Sequence, residues 1–100
     1  MAAERYPTKE RAEIEIYGRS GGIIAKIKDL SRTGACLQWD QASFQLKIGD
    51  LVRMRVFLKA LKREHRVSAE VVWTNGTLSG IQFLNSSELV EKMFVRNDTN

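Results

Sequence analysis

Asp29, Ser31, Arg32 and Gly34 fall within one hexapeptide, DLSRTG, set between the apolar runs GIIAKIK and ACLQW. A plain link between two strands needs little more than a glycine or an asparagine. This one carries a carboxylate that accepts hydrogen bonds, a hydroxyl that donates and accepts, a guanidinium fork, and a glycine that lets the backbone bend or come close. Those groups suit a purine. Guanine offers adjacent donors, N1–H and N2–H₂, to a carboxylate, and adjacent acceptors, O6 and N7, to an arginine fork that can also lie over the ring. Further arginines would meet phosphates in bidentate geometry. The plainer use of the same residues is structural: Asp29 and Ser31 can close an Asx- or Ser-type turn on their own backbone.

The charge balance agrees with an anionic partner without choosing one. Sixteen basic residues stand against twelve acidic ones, a net charge of +4, which favours nucleotides, nucleic acid or lipid headgroups. Arg5, Lys9, Arg11 and Arg19 lie upstream of the hexapeptide, Lys26, Lys28 and Arg32 at it, and Arg53, Arg55, Lys59, Lys62, Arg63 and Arg66 form a second group. In a small β domain most such side chains make solvated strand faces. One cysteine, Cys36, and one histidine, His65, exclude an internal disulfide and a Cys/His metal cluster. With no nucleophile–base–acid set and no paired carboxylates, enzyme activity is not expected. No apolar run approaches the roughly 18 to 20 residues of a membrane span, and MAAERYPTKER lacks the apolar stretch of a signal peptide, so the chain is expected to be cytoplasmic. A nucleic-acid-binding barrel would carry exposed aromatics interleaved with lysines. That stripe is absent, and nucleic acid is not an expected partner.

The elements that must hold the hexapeptide can be read from periodicity. AEIEIY, residues 12–17, alternates as a half-buried strand does, Arg19 to Gly22 supplies a turn, and residues 23–28 return as the second strand of a hairpin. ACLQW at 35–39 reads as a third strand, with Cys36 toward the buried side. LVRMRVFLKA puts Val52, Met54, Val56 and Leu58 on one face and arginines on the other; HRVSAEVVW puts Val67, Ala69, Val71 and Trp73 on one face. Trp39 and Trp73 can stack on a base, but Trp73 sits in the apolar phase and is expected in the core, whereas His65 is expected in solvent. Asn75–Gly76 predicts a two-residue type I′ turn before the last strand, LSGIQFL. Asn85 and Glu88 form a capping box for a short helix with Leu89, Val90, Met93 and Phe94 on one side. Six or so short antiparallel strands and a terminal helix predict a mainly β fold, a small six-stranded antiparallel β-barrel, because closure removes exposed edges. Residues 1–11 are read as a flexible ligand-binding arm, 12–95 as the barrel with its helix, and 96–100 as a frayed tail.

At this point the chain resembles the PilZ domain family, bacterial receptors for the second messenger cyclic di-GMP. AKIKDLSRTGACL is similar to the family's Asp/Asn-x-Ser-x-x-Gly strand–turn–strand, with Asp29, Ser31 and Gly34 in the signature positions. LKIGDLVRMRVFL looks like its middle strand, and AEVVWTNGTLSGIQFL like its closing hairpin, including Gly80 and Phe83. The resemblance implies a six-stranded barrel with a C-terminal helix and no cofactor. Cyclic di-GMP would be held between the turn and an N-terminal Arg-x-x-x-Arg loop. Here the motif is incomplete. Aligning RYP on the second arginine puts the first at Met1, and taking Arg5 as the first puts Lys9 at the second; lysine keeps the charge and loses the planar fork. Arg11 and Arg32 are substitutes that match no family position. The expected ligand contacts are therefore Arg5, Lys9, Arg11, Asp29, Ser31, Arg32 and Gly34. The implied function is a single-domain receptor that signals through altered protein–protein contact, with partners in motility, chemotaxis, polysaccharide or pilus machinery. The alternative is a degenerate domain that no longer binds the nucleotide and serves as a protein-interaction module.

Overall fold

The computed structural model describes residues 6–7, 10–19, 21–39, 46–58 and 63–98, with backbone alone at 6, 7, 57, 58 and 94–98. Seven strands precede one helix: β1 Tyr6–Pro7, β2 Arg11–Ile16, β3 Gly22–Leu30, β4 Gly34–Gln38, β5 Leu51–Leu58, β6 Arg63–Asn75, β7 Leu78–Leu84 and α1 Ser86–Asp98. The order β3-β2-β5-β6-β7-β4 closes because β4 pairs back onto β3, and every pairing is antiparallel. The result is a closed six-stranded antiparallel barrel with a short C-terminal helix. β1 lies outside the ring, paired to the far end of β3.

Strand alternation builds the interior. Ala12, Ile14 and Ile16 of β2 meet Val52, Met54 and Val56 of β5, with Ala25 and Ile27, Ala35 and Leu37, Ala69 and Val71, and Ile81 from the other strands. Trp39 is buried among them and its indole Nε1–H donates to Ser79 Oγ at 3.1 Å, so this buried hydroxyl has a partner. Trp39 is therefore the core tryptophan. His65 is exposed, as expected, and the capping box forms, with Glu88 N donating to Asn85 Oδ1 at 2.8 Å and Asn85 N to Glu88 Oε1 at 3.1 Å. The helix continues to Asp98, into the stretch the sequence leaves as a frayed tail.

Two expectations at the β6–β7 hairpin do not hold. Asn75 pairs with Leu78, so the two loop residues are Gly76 and Thr77, with Gly76 at φ 61°; Asn75 remains in the strand. A bulge between Val71 and Trp73 also shifts the register, so Val71 pairs with Ile81 but Trp73 pairs with Gly80. An extra residue reverses the inside–outside phase of every later residue in its strand. Val72 is exposed and Trp73 half-exposed on the outer face, not in the core.

Candidate functional site

The same device, a bulge, aims the carboxylate. Ile27 faces the core, and unbroken alternation would send Asp29 inward and Leu30 outward. The β3–β4 register skips between Ile27 and Asp29, leaving Lys28 as the extra residue. Beyond it Leu30 pairs with Ala35 and packs against the core, while Asp29 pairs with Cys36 and faces outward, half-buried. Charge is thereby kept out of the apolar interior, where it would be heavily penalised.

Ser31 shapes the turn itself. Its backbone N–H donates to Gly34 O at 2.9 Å. Its hydroxyl accepts from the amides of Thr33 and Gly34, each at 3.2 Å, and donates to Gly34 O at 3.2 Å. One donor and two acceptor sites are all a serine hydroxyl has, and the turn uses all three. These bonds give Ser31 a structural part in the turn. Arg32 and Thr33 stand exposed at the tip. Gly34 is required by contact, since a Cβ there would collide with the carbonyl of Ile81 on β7. Phe83 N adds a bond of 2.8 Å to Thr33 O, so β7 braces two successive residues of the turn.

Across the outer surface the registers line up one continuous row: Pro7 opposite Asp29, Asp29 opposite Cys36, Cys36 opposite Gly80, and Gly80 opposite Trp73. Cys36 is buried but on this face, opposite in phase to Ala35 and Leu37. A Cβ on Gly80 would run into the Trp73 indole, so the ring lies over Gly80. Cys36 and Gly80, between the carboxylate and the indole, are both buried beneath this surface. Sequence reasoning misses Trp73 and Gly80 as site neighbours because the bulge that turns Trp73 outward has no marker in the residues themselves.

Among the sequence-predicted contacts, Asp29, Ser31, Arg32 and Gly34 come together in the turn. Arg11 does not join them. It is exposed on β2 opposite Lys26, one outward row from Asp29, and lines a cleft of about 370 Å³ with Glu13, Ile24, Arg55 and Glu64. Arg5 and Lys9 lie outside the described residues. Lys59 and Lys62 of the second basic group lie outside the described residues; of the others, Arg66 pairs with Glu64 of its own strand at 3.6 Å and Arg55 with Glu64 at 3.1 Å, while across the β2–β5 boundary Arg53 pairs with Glu15 at 3.1 Å and Arg55 with Glu13. These pairs arise from the antiparallel register, which sets Glu13 opposite Arg55 and Glu15 opposite Arg53.

A closed small antiparallel barrel, with a strand–turn–strand beside a short N-terminal strand and a helix after the last strand, defines a class of compact barrel domain. Matching of residues 1–96 to the PilZ domain model makes the assignment: the chain belongs to the PilZ domain family. Its fold is similar to the crystal structure of the PilZ domain of CeSA from a cellulose-synthesising bacterium, with TM-score 0.68 and 18% identity over 91% of this chain and 89% of that one. It is also similar to an uncharacterised protein of Legionella, with TM-score 0.53 and 13% identity over 97% and 99% of the two chains. No curated protein matches the chain.

Proposed function

We propose that this domain binds cyclic di-GMP at the Asp29–Gly34 turn and signals by changing how its surface meets a partner protein. The observation that carries the reading is the β1–β3 register, Tyr6 against Leu30 and Pro7 against Asp29. It sets the N-terminal segment, which contains Arg5 and Lys9 in sequence, alongside the carboxylate suited to the donors of a guanine. Asp29 would take N1–H and N2–H₂, Ser31 and Gly34 would hold the turn in shape, and Arg5, Lys9 and Arg32 would meet phosphate and ring. Engagement of Arg5 and Lys9 by an anionic dinucleotide would be a local conformational step of a familiar kind. The partner would be a protein of motility, chemotaxis, polysaccharide or pilus machinery, and the site of action the cytoplasm.

A second reading, an interaction module without nucleotide, is favoured by the missing arginine and by a Ser31 hydroxyl with no hydrogen-bonding capacity left over. Calorimetric titration with cyclic di-GMP separates the two. The receptor gives saturable heat, which Asp29→Ala and Arg5→Ala each weaken by roughly ten- to a hundred-fold, the worth of a charged hydrogen bond. Lys9→Arg, which restores the planar fork, raises affinity. Absence of heat at high micromolar nucleotide overturns the receptor reading and favours the module.

A further inference from the structure

Behind the turn, inside one end of the barrel, Ile27, Leu30, Met54, Val56, Val67 and Phe83 surround a cavity of about 210 Å³. Glu10 and His65 complete the lining. Exposure orders these residues from floor to mouth. Ile27, Met54 and Val56 are buried, Leu30, Val67 and Phe83 are partly buried against the core, Glu10 is half-buried, and His65 is exposed. Polarity is thus confined to the rim, and the interior offers no strong hydrogen-bonding group.

A water molecule needs about two to four polar partners to be held, and a cavity of about 150 Å³ lined by Leu, Ile and Phe stays dry and takes up benzene. This one is larger and as apolar on its floor, and it opens to solvent at the Glu10–His65 rim. It is too small for a folded peptide segment and ample for one ring. We propose that the barrel mouth is a second ligand site, for a compact apolar molecule the size of a single aromatic ring or short branched alkyl chain. The apolar body rests on Met54 and Val56, and any hydroxyl or amino substituent points to Glu10 and His65. The nucleotide reading plays no part in this assignment, because the cavity opens on the opposite face of β3 from Asp29. The two sites share walls all the same. Leu30 lies between Asp29 and Ser31, and Phe83 N is bonded to Thr33 O at 2.8 Å, so an occupant touches two residues that brace the turn.

The test is titration of the ¹⁵N-labelled full chain with toluene and p-cresol, monitored by amide chemical shifts. Saturable one-to-one shifts concentrated at Leu30, Met54, Val67 and Phe83 are expected, with a raised Tm. Val67→Phe fills the space from its partly exposed side and should weaken binding at least tenfold. Val67→Ile, which adds one methylene and keeps the fold safe, should weaken it by a smaller factor. Overturning results are no shifts up to the solubility limit, shifts scattered over the surface, or shifts of undiminished strength in the folded Val67 variants.

Discussion

Arg53 and Arg55 on β5 and Arg32 in the 29–34 turn belong to the same excess of positive charge, yet the barrel treats them differently. On the β2–β5–β6 face both β5 arginines meet a carboxylate across the strand boundary, Glu15 for Arg53 and Glu13 and Glu64 for Arg55. At the turn Ser31 and the backbone make the bonds that fix residues 31–34, and Arg32 projects from the tip, exposed. Surface of the first kind is electrostatically self-satisfied, whereas the second is shaped rigidly and leaves its charge outward. Net charge therefore says that an anion is attractive, and strand register says where.

Four substitutions sharpen that contrast. Gly34→Ala has the largest expected effect, because the new methyl meets the Ile81 carbonyl and β4 must move from β7; we expect a loss of about 3 kcal/mol, read from the urea midpoint, together with loss of cyclic di-GMP binding. Ser31→Ala removes the shared partner of two amides and should cost about 1 kcal/mol by the same measurement. Its effect on nucleotide affinity should be smaller than that of Asp29→Ala, since the hydroxyl acts within the turn; equal losses would show Ser31 touching ligand directly. Smallest are Arg53→Met and Arg55→Met. Each breaks partly exposed pairs and should change stability by about 0.2 to 1 kcal/mol, less at high salt, with nucleotide affinity unchanged by calorimetry. A large affinity loss in either would place the binding surface on the β2–β5–β6 face and not at the turn.

Particular residues show how far periodicity reaches. Ile14, Met54 and Ala69 are buried where alternation puts them, and the Asn85–Glu88 cap forms from a local motif. Cys36 is buried as expected, but on the outer face of β4. The signature turn was legible because its three fixed residues sit close in sequence. Trp73 was not, since its orientation depends on a bulge at Val72 that only pairing with β7 requires. Arg53 and Arg55 read equally well as anion ligands until β2 brings glutamates beside them. Such facts depend on a second strand distant in the chain, and no local window contains them.

The residues alone determined a mainly β barrel, its strand phases as far as each bulge, its terminal cap and the hexapeptide with chemical potential, because each rests on a repeat of two or on neighbours within a turn. Tertiary pairing decided which way Asp29 and Trp73 face, which arginines are neutralised, why positions 34 and 80 must lack a side chain, and where the barrel leaves a cavity. The physical reason is that a single extra residue in one strand reverses inside and outside for everything beyond it, and only the partner strand shows where that residue is.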